Sequence, residues 1–257
     1  FHLLFKFKFQ ELFIHMNAKF LIPLAVGIFS AIIIMSKVMH FFMHEFPVYT
    51  WSLFFGLIIA SVIFVSKQIP SLKSFKSISF LAIGTIIGYA VVSLIPVSTP
   101  DTLPMIFLSG SIAICAMILP GISGSFILLI FGKYLTITSA LKNPFADGSL
   151  LMIIVFSFGC LIGLILFSKF LNYLLTHFYG PTMAVLTGFM IGSLKKIWPW
   201  KNIVDQTIIR GKVHVLEEQA FIPSEFSTQV ALALLFMILG FILIFAVERL
   251  GQKIPSK

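Results

Sequence analysis

Long apolar runs, separated by short polar segments, dominate this chain. Runs of about twenty apolar residues are long enough to cross a bilayer as α-helices. Apolar helices are predicted from about Phe20 to His44, Pro47 to Ser66, Ile78 to Ile95, Ser149 to Thr176, Pro181 to Leu194 and Thr228 to Val247. The pattern therefore predicts an all-α, multi-pass integral membrane protein.

One apolar region carries a polar interruption. Leu103–Leu119 and Phe126–Leu141 are apolar but short, and Pro-Gly-Ile-Ser-Gly-Ser at 120–125 separates them. Irregular backbone at membrane depth has to be buried in protein or line a cavity, so this pattern is typical of a re-entrant helical hairpin, here over residues 103–141. Two ordinary spans joined by a tight external turn are the alternative. The link carries no charge to anchor it in water, which favours the hairpin.

The chain also resembles itself at a fixed spacing. Ile22 to Ser61 aligns without a gap to Ile154 to Ser193, an offset of 132 residues, the difference between positions 154 and 22. Identical pairs include Gly27 with Gly159, Lys37 with Lys169, Thr50 with Thr182 and Gly56 with Gly188. We interpret residues 20–66 and 152–198 as two copies of one repeat. An odd number of crossings between corresponding points predicts inverted repeats, as in many secondary transporters.

The interruption at Pro120 has no counterpart elsewhere in the sequence. Subtracting the offset of 132 from its position gives a position before Phe1, so a twin would precede the sequence as given. The repeat therefore predicts that the N-terminal hairpin of the first copy is missing here.

Composition narrows the classes of protein that fit. Of 257 residues, 59% are hydrophobic and 11% charged, and the mean hydropathy of +1.07 excludes an ordinary soluble domain. We predict a single transmembrane domain over 1–257, with residues 198–226 as an extramembrane loop anchored by Trp198 and Trp200. The net charge of +9 comes from short connecting segments, which argues against a nucleic-acid partner and favours contacts with anionic membrane lipids.

The interruption itself carries the candidate chemistry. A helix that restarts after it points free backbone N–H groups, and the hydroxyls of two serines, into the protein interior. Such a helix end attracts anions, and glycines let a phosphate approach the backbone closely. We predict that an anionic headgroup contacts Pro120, Gly121, Ser123, Gly124 and Ser125. A glycine-mediated kink that only lets helices pack is the alternative.

Two lysines occupy matching positions in the repeat. Lys37 and Lys169 lie well inside apolar helices, where a buried ammonium costs at least about 2.5 kcal/mol unless it is paired or hydrated. Snorkelling to the interface is the usual fate of one such lysine. Because the repeat pairs these two, we predict that they face a shared anionic substrate from opposite sides.

Other features favour structure over catalysis. The pairs Gly84 with Gly88, Gly159 with Gly163 and Gly188 with Gly192 have the four-residue spacing that lets membrane helices approach each other. Histidines and acids near helix ends fit interfacial roles, and their spacing does not match a zinc site. A nucleophile with a nearby base cannot be picked out, so we predict a protein that is not an enzyme and uses no metal or other cofactor.

The stretch from Ala113 to Tyr134, AICAMILPGISGSFILLIFGKY, together with the repeated Ser-Lys helices, resembles a bacterial membrane family now described as polyprenyl-phosphate translocases. The resemblance covers the chain from about Phe20 to Arg249. Members usually carry a similar Pro-Gly-x-Ser-Gly-Gly motif near the N-terminus, and this sequence has none.

The resemblance implies a flippase that returns undecaprenyl phosphate, the lipid carrier of cell-wall precursors, to the inner leaflet of the bacterial plasma membrane. A phosphate that crosses hydrocarbon while its chain stays in lipid needs a polar, cationic groove open sideways to the bilayer. A transporter or channel for a small soluble anion is the alternative, since it uses the same helix ends but seals its pore from lipid.

Overall fold

The structure, a computed structural model, describes residues 18–97, 99–209 and 212–252. Its helices are α1 (Ala18–Glu45), α2 (Pro47–Ser66), α3 (Phe75–Val92), α4 (Leu103–Ile118), α5 (Gly124–Ile130), α6 (Tyr134–Lys142), α7 (Ser149–His177), α8 (Tyr179–Ser193) and α9 (Thr228–Gln252). Two strands, β1 (Lys201–Ile209) and β2 (Lys212–Ala220), stand between α8 and α9. These bounds follow the predicted apolar runs closely, and α2 begins and ends at the predicted residues.

Several helices have the dimensions of membrane spans. Among the described residues, α2, α3, α7 and α9 are long and apolar enough to cross a bilayer, and α5 with α6 forms a fifth candidate if the bent pair is one span. Large apolar side chains are exposed along them, including Ile86 of α3, Leu166 of α7 and Ile238 of α9. Because water does not favour such surfaces, lipid covers them, and the prediction of an all-α, multi-pass membrane protein is confirmed.

The chain divides into two compact units, residues 1–50 and 51–257. In the first unit, a break at Phe46 separates α1 from the start of α2. Thr50, in the first turn of α2, donates its hydroxyl proton to the carbonyls of Phe42 (3.1 Å) and Phe46 (2.8 Å). This hydroxyl therefore ties the two helices together across the break.

The second unit contains the same local structure between α7 and α8. Thr182 donates its hydroxyl proton to the carbonyls of Leu174 (3.3 Å) and Phe178 (2.7 Å). These three residues correspond to positions 50, 42 and 46 at the offset of 132 that relates the repeat segments. The two helix junctions are thus built alike.

Glycines bring the helices of the second unit into close contact. A Cβ at any of seven glycines would collide with a backbone carbonyl of the neighbouring helix: Gly84, Gly88, Gly188 and Gly192 between α3 and α8, and Gly110, Gly159 and Gly163 between α4 and α7. The hydroxyl of Ser111 uses this proximity to donate to the carbonyl of Gly159 at 2.9 Å. The predicted packing role of the glycine pairs is confirmed.

A second break follows the predicted one. The run predicted as a single helix from Phe126 to Leu141 forms α5 and α6, whose axes differ by 113°. Gly132, between them, has a φ of +66°, in the left-handed region that commonly ends helices. This break could not be recognised from the sequence, because the side chains on both sides of it are apolar. Hydropathy indicates which segments can lie in lipid, but not the direction of their backbone.

The segment before α4 closes this second break. The N–H of Val97 donates to the carbonyl of Ile130 at 2.8 Å, and the hydroxyl of Thr99 donates to the carbonyl of Phe131 at 2.6 Å. α5 therefore ends beside the residues that precede α4, so the chain doubles back between them. Buried side chains of both helices, including Ala113 of α4 and Ile127 of α5, form a common core cluster.

An ion pair between a buried lysine and an exposed aspartate completes the second break. The side chain of Lys133 is 0% exposed, and its Nζ donates to the carbonyl of Thr99 and to a carboxylate oxygen of Asp101, both at 2.5 Å. The hydroxyl of Thr136 approaches the same carboxylate oxygen at 3.4 Å. The polar side chain at this break is therefore bonded within the protein.

The segment predicted as an extramembrane loop, residues 198–226, contains a β-hairpin, which was not expected from its sequence. β1 and β2 pair in antiparallel register, with Lys201 opposite Ala220 and Ile203 opposite Glu218. Register shifts near Asp205 interrupt the ladder. The hairpin is short compared with the helices, so the all-α class stands with this addition.

Candidate functional site

The Pro-Gly-Ile-Ser-Gly-Ser segment links α4 to α5 and packs against α8. Gly121 has a φ of +94°, and a Cβ there would collide with the side chain of Ser193 at the end of α8. Gly124 is buried, and a Cβ on it would collide with Met117 of α4. Glycine is thus required at both positions, at Gly121 for its backbone conformation as well as for space.

Two serine hydroxyls of this break are exposed. Ser123 Oγ accepts a hydrogen bond from the N–H of Phe126 at 3.2 Å and lies 3.1 Å from Ser125 Oγ. Ser123 is therefore the N-cap of α5. Because α5 has only seven residues and its cap already uses one N–H, a bound anion needs positive charge from another element.

That charge lies beside the first turn of α5. A cavity of about 140 Å³, lined partly by Phe126 and Leu129, also contains Lys195, Lys196, Lys201 and Glu218. We call it the cationic cavity, after these four charged residues. Its three lysines and one glutamate give the lining a net positive charge.

Lys195 and Lys196 follow directly after α8. Lys196 Nζ lies 5.2 Å from the ring centroid of Phe126, within cation–π range. Lys195 Nζ donates to Ser93 Oγ at 2.7 Å and lies 4.3 Å from the ring centroid of Tyr89. Both ammonium groups are thus held on the protein beside the break.

Glu218 and Lys201 come from the β-hairpin. Glu218 Oε2 accepts from Lys196 at 3.0 Å and from Lys201 at 3.2 Å. Burial lowers the pKa of the Lys201 ammonium, although Glu218 opposes this shift. Burial also disfavours the charged form of Glu218, but the combined charges and hydrogen bonds of the two lysines outweigh it and hold the pKa of Glu218 below its usual range.

A larger cavity of about 500 Å³ adjoins the start of the break. We call it the apolar cavity; its lining residues are Lys76, Phe80, Leu119, Phe167, Phe170, Leu171, Leu174, Phe178, Pro181, Thr182, Val185 and Leu186. The hydroxyl of Thr182 is already bonded to helix carbonyls, so Lys76 supplies the charge at this cavity. Leu119, directly before the break, lines the apolar cavity, and Phe126, directly after it, lines the cationic cavity.

The other two predicted contacts lie elsewhere. Lys37 is exposed on α1 in the first unit, and Lys169 is exposed on α7 in the second. Lys169 lines neither the cationic nor the apolar cavity. A shared role for these two lysines at the substrate remains a prediction.

The lysines of the cationic cavity are absent from the sequence-predicted site. In the sequence they fit a basic loop at the membrane surface, which needs no further explanation. One signal was available: Lys195 and Lys196 come two and three positions after Ser193, at the end of a helix with the close-packing pair Gly188 and Gly192. Lysines so near a tightly packed helix are held against the protein.

Known proteins resemble the chain over most of its length. A family model described as undecaprenyl phosphate translocase-like matches residues 1–213. A polyprenyl-phosphate transporter of Vibrio cholerae is 38% identical over 248 residues, which cover 94% of this chain and 79% of that protein. A polyprenyl-phosphate transporter of Staphylococcus aureus is 34% identical over 197 residues, covering 70% of this chain and 68% of that protein. No solved structure matches at a significant level. The chain belongs to the undecaprenyl phosphate translocase-like family.

Proposed function

We propose that this protein is a transporter of polyprenyl phosphate in the bacterial plasma membrane, and that the phosphate binds between the break at 120–125 and the cationic cavity. The family and the names of both relatives support this substrate. The observation that carries the site is the position of Lys195, Lys196 and Lys201 in a cavity that includes Phe126 of α5. We favour undecaprenyl phosphate as the lipid and its return to the inner leaflet as the direction.

The chemistry of the headgroup matches these side chains. A phosphate monoester carries roughly −1.5 to −2 charges at pH 7 and three strong acceptor oxygens. Lys195 and Lys196 supply charged donors, while Ser123 and Ser125 supply hydroxyls that can turn towards an acceptor. Charge and donors together replace the water that the headgroup loses as it leaves the membrane surface.

The apolar cavity provides a place for the isoprenoid chain. Phe80, Phe167, Phe170 and Phe178 contribute aromatic surface to it, and Leu119, which also lines it, directly precedes the break. A chain that occupies this cavity stays in an apolar medium while its phosphate is held by the lysines. This division matches a substrate with one strongly charged end and one long hydrocarbon end.

Alternating access of this one site to the two leaflets is the mechanism that we propose. The hydrogen bonds from Val97 and Thr99 to the end of α5 support a re-entrant path for residues 103–141. The matching bonds of Thr50 and Thr182 support two copies of one repeat, which we propose are inverted. The hairpin of residues 201–220 then lies outside the membrane, beside the cationic cavity.

Proteoliposomes test the proposal. Removing one charged donor by Lys195→Gln or Lys196→Gln is expected to lower the apparent affinity for polyprenyl phosphate about tenfold, whereas Lys142→Gln, at an exposed lysine of α6, leaves it unchanged. Long-chain polyprenyl phosphates are expected to compete for transport, and inorganic phosphate is not.

Other outcomes would point to other functions. Equal competition by inorganic phosphate would indicate a transporter or channel for a small soluble anion. Release of inorganic phosphate from the lipid would indicate an enzyme. Full activity of both lysine variants would remove the cationic cavity from the site.

A further inference from the structure

The cationic cavity already holds one anion, the carboxylate of Glu218. Its Oε2 lies 3.0 Å from Lys196 Nζ and 3.2 Å from Lys201 Nζ, and the side chain is 23% exposed. One oxygen therefore accepts from two ammonium groups, an arrangement in which a phosphate oxygen could replace it. Lys195 differs, since it donates to the neutral hydroxyl of Ser93.

We infer that Glu218 selects the headgroup, because an incoming lipid has to displace its carboxylate from Lys196 and Lys201. This inference rests on the proposed function. It assigns to one residue of the β-hairpin the discrimination between phosphate monoesters and the phosphodiesters of ordinary phospholipids.

The discrimination follows from charge. A phosphodiester headgroup carries one negative charge, the same as the carboxylate that it would replace, so the exchange brings no additional attraction to the lysines. A phosphate monoester carries roughly −1.5 to −2 charges and has three terminal oxygens, so it interacts more strongly with the same two ammonium groups. Glu218 therefore weakens the binding of every anion to these lysines. The monoester still binds, because its attraction to them exceeds that of the carboxylate.

The position of Glu218 allows the exchange. It lies in β2, opposite Ile203 of β1, whereas Lys195 and Lys196 follow directly after α8. A rotation of the Glu218 side chain can withdraw the carboxylate while these two lysines stay beside α5. The charges and hydrogen bonds of Lys201 and Lys196 outweigh burial and lower the pKa of Glu218, so the competing group in the cavity is a carboxylate.

Lipid competition tests the inference. Wild-type protein and Glu218→Gln are placed in vesicles of neutral phosphatidylcholine, and transport of a fluorescent polyprenyl phosphate is measured as phosphatidylglycerol is added. Loss of the competing carboxylate is expected to make phosphatidylglycerol inhibit at about tenfold lower content, because an uncompensated pair of lysines accepts a monoanion. Glu225→Gln, at an exposed glutamate beyond the hairpin, is the matched control and keeps the wild-type response.

Polyprenyl phosphate is kept at trace content, so the phosphatidylglycerol content at half-inhibition reports the affinity for phosphatidylglycerol itself and does not depend on the amount of active protein. If Glu218→Gln does not fold, Glu218→Asp provides the test, since its shorter carboxylate reaches the lysines less well and is expected to lower the half-inhibiting content partially. An unchanged half-inhibiting content in the variant measured would overturn the selection role while leaving the proposed function intact. Wild-type affinity for polyprenyl phosphate in both Lys195→Gln and Lys196→Gln would instead overturn the phosphate site.

Discussion

The two breaks on either side of α5 begin alike and are completed differently. Each contains a glycine with positive φ, +94° at Gly121 and +66° at Gly132. At the second break, Lys133 is fully buried and bonded to Asp101. At the first, the serines are exposed, and Phe126, which follows them, lines a cavity whose lysines outnumber its carboxylate. A break whose polar groups bond one another fixes the fold, whereas one that faces excess positive charge is available to an anion.

Removing the acid of the second break is expected to have the largest effect on stability. Asp101→Asn leaves the fully buried Lys133 ammonium without its charged partner, at a cost of about 3 kcal/mol. Lys133→Met places an apolar side chain of similar length there and leaves unpaired a carboxylate that is 56% exposed, so it costs less. Thermal unfolding in detergent ranks the two. An Asp101→Asn variant as stable as the wild type would contradict the structural role of this ion pair.

Substituting the glycine of the first break ranks next. Gly121→Ala places a side chain at positive φ, which costs about 1 to 2 kcal/mol, and also drives its Cβ into Ser193. Gly148→Ala is the matched control, because Gly148 has a φ of +76° and open space around it. The difference in melting temperature between the two variants reports the contact alone. Adding Ser193→Gly should recover part of that difference, and no recovery would show that Ser193 does not confine the turn.

Loss of the N-cap is expected to have a smaller effect. Ser123→Ala removes the acceptor for the N–H of Phe126 and should lower the free energy of unfolding by about 1 kcal/mol. Ser125→Ala keeps the cap and should leave stability close to that of the wild type. Equal stability losses in the two variants would argue against the cap.

Lys169→Gln is expected to have the smallest effect. The side chain is exposed and lines neither cavity, so polyprenyl-phosphate transport should stay within about twofold of the wild type, as for most surface substitutions. The same transport assay decides between two sites. A loss as large as that of Lys196→Gln would favour the sequence-based prediction, in which Lys37 and Lys169 both contact the substrate.

Helix positions followed from the sequence because apolar length and lipid thickness are directly related. Pro47 and Ser66 are the first and last residues of α2 in the prediction and in the structure. The glycine pairs of α3 and α8 predicted the close contact of these helices. The break at Gly132 could not be predicted from the sequence, since a turn of the backbone within an apolar run leaves the hydropathy unchanged.

Part of the candidate site followed from the sequence as well. The unusual composition of 120–125 identified the first break. Lys195, Lys196 and Glu218 could not be linked to it, because packing between elements distant along the chain creates their proximity to Phe126. The spacing of residues along a sequence predicts which of them share a face of one helix. It does not predict which residues lie near the end of a different helix.

Solid-state NMR measures most directly whether the first break receives the phosphate. Protein labelled with ¹⁵N at lysine Nζ is reconstituted with polyprenyl phosphate, and ¹⁵N–³¹P dipolar dephasing reports which ammonium groups lie within a few ångströms of phosphorus. We expect dephasing that weakens strongly in the double variant Lys195→Gln, Lys196→Gln, which retains Lys201 in the cationic cavity, and persists unchanged in Lys133→Met. Dephasing that is unchanged in the double variant and disappears on removal of Lys133 or Lys169 would contradict the account.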